Sequence, residues 1–185
     1  MSCKFFIISF VLCATIIGCK EDSALPKPNA QLRLEYSQGT PALLQTDAFT
    51  FQYNKLATAK AQSNLAYTLE YPELHGNIFL SYEKVDDDIK KLIYSAKKLS
   101  YEHAAKADNI IEQPYINNES NVYGALFIVE GNAASQVQFY ATDSTNHFLT
   151  GSVYFHIKPN YDSILPAATY LQNDIRGIME SLRWK

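Results

Sequence analysis

Residues 136–157 read QVQFYAT, then DSTN, then HFLTGSVYFHI. In the first run Val137, Phe139 and Ala141 alternate with Gln136, Gln138 and Tyr140. In the second, Leu149, Gly151, Val153, Phe155 and Ile157 alternate with Thr150, Ser152, Tyr154 and His156. A period of two sends each set to its own face of a sheet. The linker Asp143-Ser144-Thr145-Asn146 is turn chemistry, because short oxygen-bearing side chains bond their own backbone. The stretch is therefore an antiparallel hairpin, reached through a glycine turn in residues 130–135 (EGNAAS).

Working back from the hairpin, residues 122–129 (VYGALFIV) are apolar on both faces, the mark of a strand covered on both sides. Residues 117–121 are a polar loop. Earlier still, Leu32, Leu34 and Tyr36 alternate with Arg33 and Glu35, and Phe49, Phe51 and Tyr53 with Thr50 and Gln52. These predict two strands separated by a turn over residues 37–41. Residues 55–64 fit a strand or a short helix. Tyr67, Leu69 and Tyr71 predict a third strand, ended by Pro72, and Ile78, Leu80 and Tyr82 a fourth after a turn at His75-Gly76-Asn77.

Asp86-Asp87-Asp88 opens a long helix, since acids suit the free amides at a helix start. Ile89, Leu92, Ile93, Ala96, Leu99, His103, Ala107 and Ile110 form one apolar stripe, and Pro114 marks its end. Lys90, Lys91, Lys97, Lys98 and Lys106 read as its solvated face. Downstream of the hairpin, Pro159-Asn160 breaks the strand. Asp162 or Ser163 caps a last helix with Pro166 in its first turn. Its stripe is Ala168, Leu171, Ile175, Ile178 and Leu182, which packs on a sheet.

The order is four strands, helix, three strands, helix. That predicts an α+β fold: an antiparallel sheet of about six to seven strands with two long amphipathic helices packed on it. By analogy of element order alone, it looks like the Mog1/PsbP arrangement. With 47% hydrophobic residues and a net charge of −3, the chain has enough apolar side chain for a core and no basic stripe for nucleic acid.

The N-terminus reads as an address. Lys4 precedes an apolar run over residues 5–17, of signal-peptide length and short for a membrane span. Ile16-Ile17-Gly18-Cys19 resembles a bacterial lipobox, in which the cysteine is acylated by palmitate-type chains and becomes the first residue. The expected division is residues 1–18 signal peptide, 19–30 tether and 31–185 one α+β domain. Two or more acyl chains at about 0.8 kcal/mol per buried methylene hold a protein stably on a membrane. Pro26 and Pro28 stiffen the tether. Lys20-Glu21-Asp22 resembles a surface-export signal of Bacteroidota lipoproteins, although a short charge run is also an ordinary solvated linker. Cys3, Cys13 and Cys19 are the only cysteines, so no disulfide or thiolate metal framework is expected in the rest of the chain.

Catalytic signals are weak. Asp143, Ser144 and His147 contain the residue types of a triad, but all three sit in one short turn, whereas a triad converges from a scaffold. Turn formation accounts for them better. His75, His103, His147 and His156 have no metal-ligand spacing, and His103 on its helical stripe reads as a packed core residue. The expectation is no catalytic, cofactor-binding or metal residue, no cofactor, and one modified residue, Cys19. The many tyrosines from Tyr67 to Tyr170 cover sheet faces or form a contact surface.

The words Glu130-Gly131-Asn132-Ala133-Ala134-Ser135, Gln138-Phe139, Thr142-Asp143-Ser144, Asn146-His147-Phe148-Leu149 and Tyr154-Phe155 together resemble the gliding-motility lipoprotein GldD family of Bacteroidota. Pro159-Asn160, Asp162-Ser163, Asp174-Ile175, Trp184-Lys185 and the lipobox add to the resemblance. It implies a membrane-anchored, non-enzymatic component of the gliding apparatus, linked to type IX secretion. Its expected partners are other gliding and secretion envelope proteins, with Cys19 as the membrane anchor. The expected place is the cell envelope, at the outer membrane rather than the inner, on its periplasmic or surface face. The alternatives are a small-ligand-binding envelope lipoprotein, with an apolar pocket between sheet and helices, and a hydrolase built on Asp143 and His147.

Overall fold

The hairpin is present, and its pairing keeps each alternating set on one face of the sheet. The computed structural model describes residues 34–62, 65–86, 88–157 and 160–185, apart from the side chain of His103. The expectations for the signal peptide, Cys19, the tether, Leu32 and the packing of His103 lie outside those residues. Strand β8 (Val137–Thr142) pairs antiparallel with β9 (His147–Phe155), Phe139 opposite Gly151 and Thr142 opposite Phe148. Around it lie β3 (Thr58–Ala61), β4 (Ala66–Tyr71), β5 (Gly76–Lys84), β6 (Ala107–Asn117) and β7 (Val122–Gly131). They form one antiparallel sheet in the order β3-β4-β5-β9-β8-β7-β6. A second sheet, β1-β2-β10, joins β1 (Pro41–Gln45) and β2 (Phe49–Asn54) to β10 (Arg183–Trp184) at the C-terminus.

Two helices cover opposite faces. Helix α1 (Ile89–Tyr101) opens at Asp88, whose carboxylate accepts the Lys91 amide at 3.0 Å. Its Ile89, Leu92, Ile93 and Ala96 pack on Ala125, Phe127, Tyr140 and Phe148. Helix α2 (Tyr161–Ser181) lies on the other face with the small sheet. Ala168, Leu171, Ile175, Ile178 and Leu182 are all buried there, as their spacing predicts. Each fully buried aliphatic side chain is worth roughly 1.5–3 kcal/mol over leaving it exposed. Phe49 and Phe51, stacked at 5.8 Å, seal the small sheet onto the same core.

Several local expectations need correction. The first helix ends at Tyr101, not near Pro114, and a 3-10 turn (Glu102–Ala105) leads into β6. Ile110 and Ile111 are β-branched, and a ladder running from Ala107 to Asn117 against β7 outweighs the helical spacing of Ala107 and Ile110. Pro114 sits inside β6 because β6 is an edge strand, where a missing donor can face solvent. Leu99 is exposed, not part of the packed stripe.

Residues 34–40 are irregular, and the first strand begins at Pro41, where the turn was expected. Gly76 and Asn77 belong to β5, the reversal being made by a 3-10 turn (Pro72–Leu74) and a left-handed His75. Helix α2 starts from Asn160, so Pro166 lies beyond its first turn and neither Asp162 nor Ser163 is the cap. The ambiguous stretch 55–64 contains β3.

Strand β7 is buried on both faces as its composition predicts, and Gly124 allows its close approach to β8. A Cβ on Gly124 would lie 2.0 Å from the Tyr140 carbonyl oxygen, whereas one on Gly177, inside α2, would meet nothing within 4 Å. Gly124→Ala is expected to destabilise the fold by about 2–3 kcal/mol through overpacking. Gly177→Ala is expected to stabilise it by about 0.5–1 kcal/mol through helix propensity. Urea unfolding of the two variants checks the contrast.

Candidate functional site

The hairpin turn carries the residues that resembled a triad, and their chemistry is spent on the backbone. Asp143 Oδ1 accepts the amides of Thr145 (3.0 Å), Asn146 (2.8 Å) and His147 (2.8 Å), and Oδ2 accepts the Thr145 hydroxyl (2.8 Å). Burial pushes the Asp143 carboxyl up, but the amides of His147, Thr145 and Asn146 and the Thr145 hydroxyl together bring it down to about 2. Ser144 takes the left-handed conformation (φ 70°) in this turn. Gly131, at φ 105°, provides the turn before β8, and Asn132 Oδ1 accepts the Tyr161 amide at the start of α2. These family words are folding determinants.

The His147 ring turns away from Asp143. Its Nδ1 lies 2.9 Å from the Tyr82 hydroxyl, and the ring stacks on Trp184 at 5.2 Å and 9°. Trp184 in turn donates its indole N–H to the Asn121 carbonyl at 3.0 Å. The cluster fastens β5, β9 and β10 together. Burial, and then the Asp143 charge, raise the Tyr82 pKa.

A second polar cluster joins α2 to both sheets. Asn54 Nδ2 donates to Tyr170 Oη at 2.7 Å and to Asp174 at 3.1 Å, and Tyr170 donates to the Ser37 carbonyl at 2.8 Å. The buried Tyr71 hydroxyl faces Asp174 without a hydrogen bond of normal geometry. Burial holds Asp174 above the usual carboxylate range, with Tyr71 and Asn54 partly offsetting it. These groups bridge β2, β4 and α2, which is a tie between layers.

The third feature is a cleft of about 360 Å³ between the trailing edge of α1 and the sheet. Its floor is set by one row of paired positions: Thr68 opposite Phe79, Phe79 opposite Ser152, Ser152 opposite Gln138, and Gln138 opposite Phe127. Gln138 is 4% exposed. Its Oε1 lies 3.0 Å from the Ser100 hydroxyl, and its Nε2 has no partner. A buried amide end left unmade costs about 1–3 kcal/mol. Sequence reading missed this pair because Ser100 and Gln138 stand 38 residues apart and neither belongs to a motif. The one available signal was the polar face Gln136-Gln138-Tyr140 on a strand that is buried throughout.

Most tyrosines cover sheet faces, with Tyr67, Tyr82, Tyr115 and Tyr170 packed against the main core. Tyr94 and Tyr101 are exposed on α1. Among the described residues, no group of three or more His, Cys, Asp or Glu side chains could hold a metal ion, and no helix is long and apolar enough to cross a membrane.

The molecule is thus an α+β domain whose distinctive motif residues build turns and inter-strand ties. The gliding motility lipoprotein GldD family matches residues 21–184, and the chain belongs to that family. No curated protein matches. As a gliding motility lipoprotein it is a lipid-anchored protein of the cell envelope.

The lowered Asp143 pKa fixes a sign. Its contribution to stability is fully present above the unfolded value near 3.8 and is lost as pH falls toward the folded value near 2. Asp143→Asn is therefore expected to be less stable than wild type at neutral pH. After allowance for solvent screening the deficit is about 1 kcal/mol. The gap should close between pH 4 and 2 in urea titrations at stepped pH.

Proposed function

We propose that this lipoprotein is a non-enzymatic docking component of the gliding apparatus, tethered through acylated Cys19 and linked to type IX secretion. The observation that carries the docking reading is an apolar flank where α1 meets the edge strand β6. Tyr94 is 68% exposed and Tyr101 45% on the helix, and Ile116 is 70% exposed on β6. Tyr94 and Tyr101 are two turns apart and share the helix side that reaches β6, because Lys97 and Tyr101 both bond Glu112 (2.6 and 3.1 Å). Pairing with β7 puts Glu112, Pro114 and Ile116 on that same side of the sheet, opposite Phe127, Ala125 and Tyr123. Exposed tyrosines beside an exposed isoleucine match the aromatic enrichment of interface cores, with the Lys97–Glu112 pair as the polar group bordering them. The partner is therefore another envelope protein presenting an apolar patch.

The non-enzymatic part of the reading draws support from Asp143. Its two oxygens already hold four donors, and a general base or orienter needs that carboxylate free for the histidine ring.

The test is a deletion strain complemented with wild type, Cys19→Ala, or a Tyr94→Glu, Ile116→Glu double variant, scored for colony spreading and type IX secretion. The expected result is loss of both phenotypes on deletion and rescue by wild type only, with the variants present at wild-type levels. Full rescue by the double variant would remove the docking surface. Full rescue by Cys19→Ala would remove the tether, and intact secretion in the deletion strain would remove the secretion link.

A further inference from the structure

We infer that the cleft beside α1 is a binding site for a small, uncharged amphiphile: an apolar chain or ring carrying one amide or hydroxyl group. Three observations converge on it. Helix α1 covers only part of its face of the sheet, packing on Ala125, Phe127, Tyr140 and Phe148, and leaves Thr68, Phe79, Ser81 and Ser152 beyond its edge. The space of about 360 Å³ is of small-molecule size, and its walls are mainly apolar with a few hydroxyls. None of the side chains lining it is charged, so a charged ligand would lose its hydration there without a counter-ion.

Gln138 supplies the specific point of recognition. The Ser100 hydroxyl lies 3.1 Å from the Ala96 carbonyl and 3.0 Å from Gln138 Oε1, and it has one proton to give. If that proton goes to Gln138, the buried Nε2 is left without an acceptor. If it goes to Ala96, the amide turns over to donate to Ser100, and the carbonyl end is left instead. Either way one end of a 96%-buried carboxamide faces the cleft unmet. An amide or hydroxyl on the ligand both donates and accepts, so it completes the pair in either state, while its apolar body lies against Leu99, Phe79 and Phe127. This site is separate from the docking flank, which lies on the side of α1 toward β6.

Octanamide is a suitable probe, with octanoate as its charged counterpart. The full chain, labelled with 15N, serves as the sample. Titration followed by 1H–15N NMR is expected to give a saturable shift of the Gln138 side-chain amide and of the Thr68 and Ser152 backbone amides. Octanoate should bind at least about tenfold more weakly, and Gln138→Leu should weaken octanamide about tenfold, the cost of one unmade buried hydrogen bond. Ser81→Phe, an exposed strand position at the cleft, should abolish binding while the melting transition is kept. It decides the matter if Gln138→Leu does not fold. Absence of a saturable shift, equal binding of octanoate, unchanged binding by Ser81→Phe, or response to a capped dipeptide amide but not to octanamide would each overturn the proposal.

Discussion

Strand β8 has no exposed face. All six of its residues are buried, and its backbone is paired on both sides, with β7 and β9. A strand in that position obliges the chain to build a cover on each side of the sheet, because apolar groups on either face would otherwise meet water. Val137, Phe139 and Ala141 are met by α2 and the small sheet. Tyr140 is met by α1. The rest of the architecture is the solution to that two-sided demand.

The two covers are unequal. Helix α2 has twenty-one residues and shares its face with a three-stranded sheet, whereas α1 has thirteen and works alone. A helix is roughly 10 Å across, about two strand spacings. One such helix cannot roof seven strands. Beyond its edge the sheet presents Ser81, Thr150 and Ser152, small hydroxyls that tolerate water, beside the partly exposed ring of Phe79. The cleft is thus a direct result of one helix's width set against a seven-stranded sheet.

Legibility in the sequence followed the range of the interactions. The 136–157 hairpin was readable because alternation and turn chemistry are local, and the hydrogen bonds of Asp143 reach residues at most four away. The α2 stripe was readable for the same reason. The boundary between α1 and β6 was not, because Ala107 and Ile110 satisfy a helical spacing as well as a ladder, and only pairing with β7 decides between them. Pro114 misled for a related reason: its tolerance depends on being at a sheet edge, which is a property of topology. The strand at Pro41 owes its existence to β2, and β10 to the same partner from the opposite end of the chain. The Gln138–Ser100 pair is legible only once β8 and α1 are in contact.

The pairing of β10 with β2 also decides where the core is most easily opened. Trp184 sits opposite Phe49, and the Lys185 amide bonds the Ala48 carbonyl at 3.0 Å. These contacts join segments far apart in sequence, so the loop between them must be closed before any of them forms, whereas the β8–β9 hairpin needs only a short turn. The face of the core under the small sheet is accordingly the part whose assembly depends most on long-range encounter, and the part where loss of a single strand pairing would open the interior to water.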